Sequence, residues 1–453
     1  MHISRFDSDT FLSLPTVILA GGIGNRMFPL TIGQCKSLLP IANRPLLTYQ
    51  LHFLENSGFT DIIIITKSEY EKDIRAFLET QTVYDLKSVK VVVSDAAGTA
   101  DALRSSASEI GTDSDFFVIS GDVISTVSLA TMAGLHRLRR ATVTSMYKRK
   151  SATSLVPVVD KKEQEEDMSS QLLGVDEDTG RILYARMRYA VQTVHMNKAI
   201  MQQFPKISFK SDLQQAHIYI FAPTVLTLLE QQPHISSIQA DLLPYLTTAQ
   251  FVTDEATNAW ARVEDKIPLD ADMASFTKTY PTVSTYAYIA PDDCFLERAN
   301  TLPMYTALNF RVARDEQPMA WPPVADGNCS AQAKEVCRTA TLNNCLVGDD
   351  FKLEPSTLNN AIVGSHCRVG KGVRLTNSIV MDYAVLEPGA IVTDSIICRN
   401  AVISTKATVK KCRVAMGVTV GAESSHEGES IQQDGFGSDE GEAWDEDEDE
   451  DAE

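Results

Sequence analysis

AIVGSHCRVGKGVRLTNSIVMDYAVLEPGAIVTDSIICRNAVISTKATVKKCRVA, residues 361–415, carries a small or apolar residue at every sixth position. The column runs Ala361, Cys367, Val373, Ile379, Val385, Ile391, Ile397, Ile403, Val409, Ala415 without a break. Neither a helix nor an ordinary sheet has a period of six. A left-handed parallel β-helix does, because each triangular coil stacks one such residue from each of three short strands into a dry core. With 44% of the chain apolar, ten of ten by chance is roughly a one-in-several-thousand event. Short antiparallel strands beating at six would need more Gly and Pro in their turns. This reading puts Ile379, Val385 and Ile391 in the core. It leaves Asn377, Tyr383 and Asn400 facing outward as contact candidates.

Upstream the pattern changes to strand–helix alternation. Thr16–Ala20 reads as a short apolar strand, Leu46–Asn56 as an amphipathic helix closed by Ser57-Gly58, and Asp61–Thr66 (DIIIIT) as a buried strand. A helix over 69–79, a strand Val89–Val93, a helix after Gly98 and a strand Phe116–Ser120 follow. The strand Ala216–Phe221 and the helix Pro223–Gln231 resume the alternation. Continuous apolar strands alternating with helices predict an α/β domain with a parallel sheet covered on both faces. Lys161–Ser170 (KKEQEEDMSS) reads as a surface loop, and the Pro-rich Gln317–Gly327 as a connection. The expected division is an α/β domain over 14–310, a linker over 311–341, the β-helix over 342–421 and an acidic tail over 422–453.

Charge supports that division. The net charge is −19, and residues 423–453 hold 15 Asp or Glu with no Lys or Arg, which leaves roughly −4 for the remainder. The block Asp445–Asp451 repels itself and is expected to stay extended and solvated, so the tail is read as disordered, and its removal as harmless to folding. It is either a solubility tail or an electrostatic arm for a basic partner. An acidic tail without a basic stripe disfavours direct nucleic-acid binding. No apolar run approaches the roughly 18 residues that span a bilayer, and MHISRFDSDT is not a signal peptide. The 8 cysteines form no Cys-x-x-Cys pair, so neither zinc nor a disulfide framework is expected. A reducing, cytosolic setting fits.

The first strand runs into AGGIGNRMFPLTIGQCKSLLPIANRP, residues 20–45. In an α/β sheet, ligands sit at the carboxyl ends of the strands. Gly21, Gly22 and Gly24 let backbone N–H groups approach a triphosphate, while Arg26 and Lys36 supply counter-charge. Asp122, at the end of the Phe116–Ser120 strand, faces the same crevice and has the chemistry to ligate a hard cation.

This segment, with Pro29-Leu30-Thr31, Lys36 and Pro40, resembles the signature of the sugar-nucleotide pyrophosphorylases. Those enzymes join a nucleoside triphosphate to a sugar 1-phosphate. They carry a nucleotidyltransferase (Rossmann-like) domain and often a C-terminal left-handed β-helix of hexapeptide repeats. Gly98-Thr99-Ala100 is similar to their GTA loop beside the base, and Gly121-Asp122 to their Gly-Asp, whose carboxylate holds magnesium. The resemblance implies residual nucleotide-binding candidates Gly21, Gly22, Gly24, Arg26, Lys36, Gly98, Thr99 and Asp122, with GTP or ATP and Mg as the ligand. Asp122 is the sole metal candidate.

The catalytic pattern is incomplete. The family's second metal Asp and its glycine fall on Tyr288 and Ala290. Its Glu-Lys-Pro tract has no counterpart, and Cys35 replaces the proline before Lys36. Loss of a carboxylate and a lysine removes groups that stabilise charge on the transferring phosphates. No catalytic residue and no required cofactor are therefore assigned.

Two non-catalytic branches of the superfamily are the gamma and epsilon subunits of eukaryotic translation initiation factor 2B, whose complex exchanges GDP for GTP on initiation factor 2. The gamma branch is the closer resemblance. It is carried by GTADALR (98–104), LGVD (173–176), ISGDVISTV (119–127), SDLQQAHIYIF (211–221), SIQADLLPYL (237–246) and RANTLPMY (298–305). The acidic stretch of roughly 30 residues after Gly421 cannot form the packed helical repeat that epsilon carries. The resemblance implies a cytosolic, non-catalytic subunit that pairs with epsilon and the other subunits and helps bind initiation factor 2. Two alternatives stay open: an active pyrophosphorylase of the GDP-mannose type, and a nucleotide or sugar-nucleotide sensor.

Overall fold

The computed structural model describes residues 14–80, 88–150, 171–196, 198–251, 283–314 and 341–432. The Lys161–Ser170 loop, the Gln317–Gly327 connection and residues 433–453 of the tail lie outside them.

The α/β domain is built on a seven-stranded sheet. Its order is Thr285–Ile289, Val143–Arg149, Leu213–Phe221, Phe116–Ser120, Thr16–Leu19, Asp61–Thr66, Ser88–Val93. Thr16–Leu19 lies between Asp61–Thr66 and Phe116–Ser120, parallel to both, and is buried at every position. The two faces of the sheet have separate cores. One gathers Val17, Val118, Leu103 and Leu246, the other Ile18, Ile64, Leu51 and Met132. An apolar run such as DIIIIT suits a strand covered on both faces.

The sheet is mixed, not parallel throughout. Leu213–Phe221 runs antiparallel to both its neighbours. It follows Ile207–Lys210 of a small sheet (Ile182–Met187, Gln171–Asp176, Ile207–Lys210) after only Ser211 and Asp212. The chain leaves the large sheet after Arg149 and re-enters beside it at Leu213, with Lys150 N donating to Asp212 O at 2.7 Å, so the two strands pair antiparallel.

The second domain, Thr341 to Ile431, is a parallel β-helix of three sheets with six, six and five strands. Successive coils advance by 17 residues, as in Thr357, Arg374, Ile391, Thr408 and Ser425. The observed interior columns are Leu358–Leu375–Val392–Val409, Val363–Val380–Ile397–Val414 and Val369–Leu386–Ile403–Val420.

That period corrects part of the six-residue column. Seven of its members are in the coil interior, but Ile379, Val385 and Ile391 are not. A strict period of six slips one residue per 17-residue coil. In a strand a slip of one turns a side chain outward, and a slip of two turns it back in. Ala361 therefore points in, Ile379 out and Ile397 in. Val385 and Ile391 are half-buried on the outer faces, while Ile379 is covered by the other domain. Asn377, Tyr383 and Asn400 stand at left-handed corners with φ of 47°, 62° and 59°. Asn377 accepts a hydrogen bond from Asn360 at 2.8 Å, and Tyr383 stacks on His366 with centroids 4.8 Å apart.

The boundaries shift as well. The α/β domain ends in the helix Leu302–Ala313, three residues past 310, and the β-helix does not stop at Gly421. Ser425–Glu427 and Ser430–Ile431 pair in parallel with Thr408–Lys410 and Arg413–Val414. Residues 423–432 are thus structural, and deleting them with the tail strips strands from the last coil.

The domains share a continuous apolar interface. The outward column Ile362–Ile379–Ile396 is buried with Leu302, Tyr305 and Leu308 of the Leu302–Ala313 helix and with Met27, Leu30 and Ile41 of the first loop. Asn43 donates to the Val363 carbonyl at 2.8 Å.

Candidate functional site

The site forms at the carboxyl ends of Thr16–Leu19 and Phe116–Ser120. The first strand leaves the sheet through Ala20, Gly21 and Gly22. The second turns at Gly121, whose N–H donates to the Leu19 carbonyl at 2.7 Å. A Cβ on Gly121 would lie 2.5 Å from both Leu19 O and Ser37 Oγ, so the close approach admits only glycine. Gly24 has φ +74°, and a Cβ there would sit 2.9 Å from Thr31 Cγ2 and 3.2 Å from Lys36 Cδ. It folds the loop so that the short helix Lys36–Leu38 faces Asp122.

Asp122 is the centre of the cluster, at 2% exposure. Lys36 Nζ donates to its Oδ2 at 3.0 Å. Arg298 forks onto it, Nε to Oδ1 at 3.2 Å and Nη2 to Oδ2 at 3.1 Å. Ser120 Oγ donates to Oδ1 at 2.8 Å. Burial alone would push this carboxyl up, but Arg298 and Lys36 outweigh it and hold it well below the usual carboxylate range. His217 closes the ring on Arg298 Nη1. It sits at φ +53°, where the Leu213–Phe221 strand shifts register between Gln215 and Tyr219.

Of the residues expected from sequence, the structure brings Gly22, Lys36, Thr99 and Asp122 to the lining of one cleft. Gly24 lies behind Lys36, and Arg26 is half-buried on the turn Asn25–Met27 without lining the cleft. Gly98 is pressed against Ser236: a Cβ there would lie 2.3 Å from Ser236 O. One donor and one acceptor of the GTA loop are taken up by this neighbouring segment. Ala100 N donates to Ser236 O at 2.7 Å, and Thr99 Oγ1 accepts from Ile238 N at 2.9 Å. The space for water in the cleft is about 30 Å³, room for a water or two.

The donor set does not fit a magnesium ion. Both oxygens of Asp122 already accept from cations, so a divalent ion there would face a guanidinium and an ammonium. Tyr288, on which the family's second carboxylate falls by resemblance, lies in the Thr285–Ile289 strand outside the cleft lining, and burial pushes its phenol up, so it stays neutral. Cys35 is fully buried with its thiol pushed up to about 11, an apolar filler donating to Ala20 O. Among the described residues no cluster of three or more His, Cys, Asp or Glu is placed to hold a metal. None of their helices is long and apolar enough to cross a membrane.

Sequence reading missed Arg298, His217 and Ser120. Arg298 opens the RANTLPMY segment and ends the short strand Leu296–Arg298, which pairs antiparallel with Val123–Ser125. That pairing across 175 residues carries the guanidinium to Asp122, and no local motif announces it. The signal available was a buried strand-end acid with a single nearby cation, which leaves a place for a second.

The nucleotidyl transferase family profile matches residues 15–168, and the GMPPB C-terminal domain profile matches residues 341–432. The chain is 30% identical to translation initiation factor eIF2B subunit gamma of Schizosaccharomyces pombe over 309 residues, which is 66% of this chain and 65% of the relative. It is 25% identical to the Dictyostelium discoideum subunit gamma over 74% of this chain and 82% of the relative. Mannose-1-phosphate guanyltransferase of S. pombe is 25% identical over 51% of this chain and 55% of the relative. The chain thus spans just under two thirds of the length of the first of these. Residues 15–168 of the chain thus match the nucleotidyl transferase family, and the chain is similar to the gamma subunits of translation initiation factor eIF2B.

Proposed function

We propose that this chain is a non-catalytic subunit of a translation initiation factor 2B guanine-nucleotide exchange complex, in which it pairs with the epsilon subunit and helps bind initiation factor 2. The observation that carries the non-catalytic part is the Asp122 cluster. The carboxylate that the resemblance assigns to a metal is paired with Lys36 and Arg298, and by the same resemblance its partner carboxylate falls on Tyr288. Phosphoryl transfer depends on cations that neutralise developing charge on the phosphates, and this site directs its cations at its own Asp instead. The similarity to subunits gamma supports the complex. The relative named subunit epsilon, 27% identical over 53% of this chain, supports an assembly of related subunits.

Two assays test this. Affinity capture of the full chain from a eukaryotic cytosol, read by mass spectrometry, should recover initiation factor 2 and the other factor 2B subunits in comparable amounts. Incubation with GTP, mannose 1-phosphate and magnesium should release no pyrophosphate above background. Release of pyrophosphate, or recovery of this chain only as a homo-oligomer, supports the guanyltransferase reading instead, which the mannose-1-phosphate guanyltransferase relatives favour. Binding of GTP or ATP without turnover supports the sensor.

A further inference from the structure

Asp122 does more than close a cleft, because its two counter-ions belong to the two segments that seat the β-helix. Lys36 lies four residues from Ile32, which packs against the β-helix core. Next to Ile32 is Gly33, whose Cβ position is 3.2 Å from Met416 Cε in the penultimate coil. Arg298 lies four residues before the Leu302–Ala313 helix, whose Leu302, Tyr305 and Leu308 cover Ile362, Ile379 and Ile396. The backbone repeats the side-chain link: Ala299 N donates to Asp122 O at 2.9 Å. The two segments also meet each other, with Ala42 N donating to Asn309 Oδ1 at 2.9 Å and Tyr305 Oη donating to Pro40 O.

We propose that Asp122 is a clasp: it holds the first loop and the Leu302–Ala313 helix at the spacing that seats the β-helix, so that the state of the cleft is read out at the domain interface. A buried carboxylate forked by an arginine is held in distance and orientation, and a lysine on its other oxygen fixes the opposite side. Each arm is short and ends in a packed apolar contact, and close-packed contacts pass on a displacement with little absorbed. This inference stands independently of the subunit reading, because it concerns contacts within one chain.

The test uses amide hydrogen exchange on the full chain, with Arg298→Met and Lys36→Met compared with wild type. Each variant leaves Asp122 one cation, so neither strands a buried charge. Arg298→Met should speed exchange about tenfold in Leu302–Ala313 and in the Ile362–Val363 and Ile379–Val380 strands, the scale expected for losing charge-assisted bonds. Lys36→Met should do so around residues 25–38 and in Arg413–Val414 and Thr419–Val420. In both, Asp61–Thr66 on the far side of the sheet should be unchanged. Arg298→Lys keeps the charge but loses the fork, and should restore part of the protection. A rise confined to residues 120–125 and 217, with the β-helix strands unaffected, would overturn the clasp, as would a uniform rise that includes Asp61–Thr66.

Discussion

Asp122→Asn removes one charge and almost no volume, so its consequence can be worked from the contacts. In the wild type one carboxylate accepts from Lys36, Arg298 and Ser120 at 2.8–3.2 Å, in a site where Asp122 and Lys36 are 2% and 6% exposed. The amide leaves an ammonium and a guanidinium facing each other across a neutral side chain. Removing one partner of a buried ion cluster costs about 3–5 kcal/mol, because the stranded charge remains desolvated. At about 2–4 °C per kcal/mol for a domain of this size, the melting temperature should fall by roughly 10 °C. The sign of the pH dependence follows from the carboxyl, held well below its ordinary range. Its contribution is complete above the unfolded value of about 4 and is lost only as the pH falls through the lower folded value. The gap between wild type and variant should therefore be flat from pH 8 to pH 5 and narrow below pH 4. Asp122→Asn/Arg298→Met removes the second stranded cation, and should recover about 1–3 kcal/mol relative to additivity. Calorimetry across this range checks all three. A loss below about 1 kcal/mol, or a gap that changes between pH 5 and 8, would refute the account of Asp122 as the keystone of a buried ion cluster.

Other consequences are more local. Leu375→Ala empties an interior position of the β-helix and should cost about 2–5 kcal/mol, whereas Val385→Ala on the outer face should cost under about 1 kcal/mol; equal losses in urea denaturation would contradict the 17-residue register. Gly98→Ala places a methyl 2.2 Å from Ser236 Oγ and 2.3 Å from Ser236 O, and should cost about 1–3 kcal/mol, seen as a lower urea midpoint at unchanged slope. His136 is buried with Nδ1 2.9 Å from Thr144 Oγ1, Nε2 3.6 Å from Asp115, and its pKa pushed down to about 4. The unfolded chain therefore takes up a proton first, so stability should fall by up to about 3 kcal/mol between pH 6.5 and 4. His136→Gln should flatten that slope, and an unchanged slope would assign it to other groups.

Much of this protein was legible along the chain because the signals are local and periodic. DIIIIT reads as a strand covered on both faces because only such a strand has no polar alternation. Gly24 and Gly121 mark the crevice because each meets a steric demand there, Gly24 a left-handed turn against Thr31 and Lys36 and Gly121 a close approach to Leu19 and Ser37. The six-residue beat of 361–415 named a parallel β-helix from small inward residues alone. What the beat could not carry was phase: coils of 17 residues differ from 18 by one position, and one position exchanges core for surface, so Ile379, Val385 and Ile391 went to the wrong side. The antiparallel entry of Leu213–Phe221 was hidden for a similar reason, since an apolar strand does not record its direction. Arg298 needed the tertiary structure altogether. It reaches Asp122 through pairing of two three-residue strands far apart in the chain, and nothing in the identity of either residue states that they meet. Residue type and spacing determine which groups can form a strand, a coil or an ion pair, but only the packed fold decides which acid meets which cation, and here that pairing puts both Lys36 and Arg298 on Asp122.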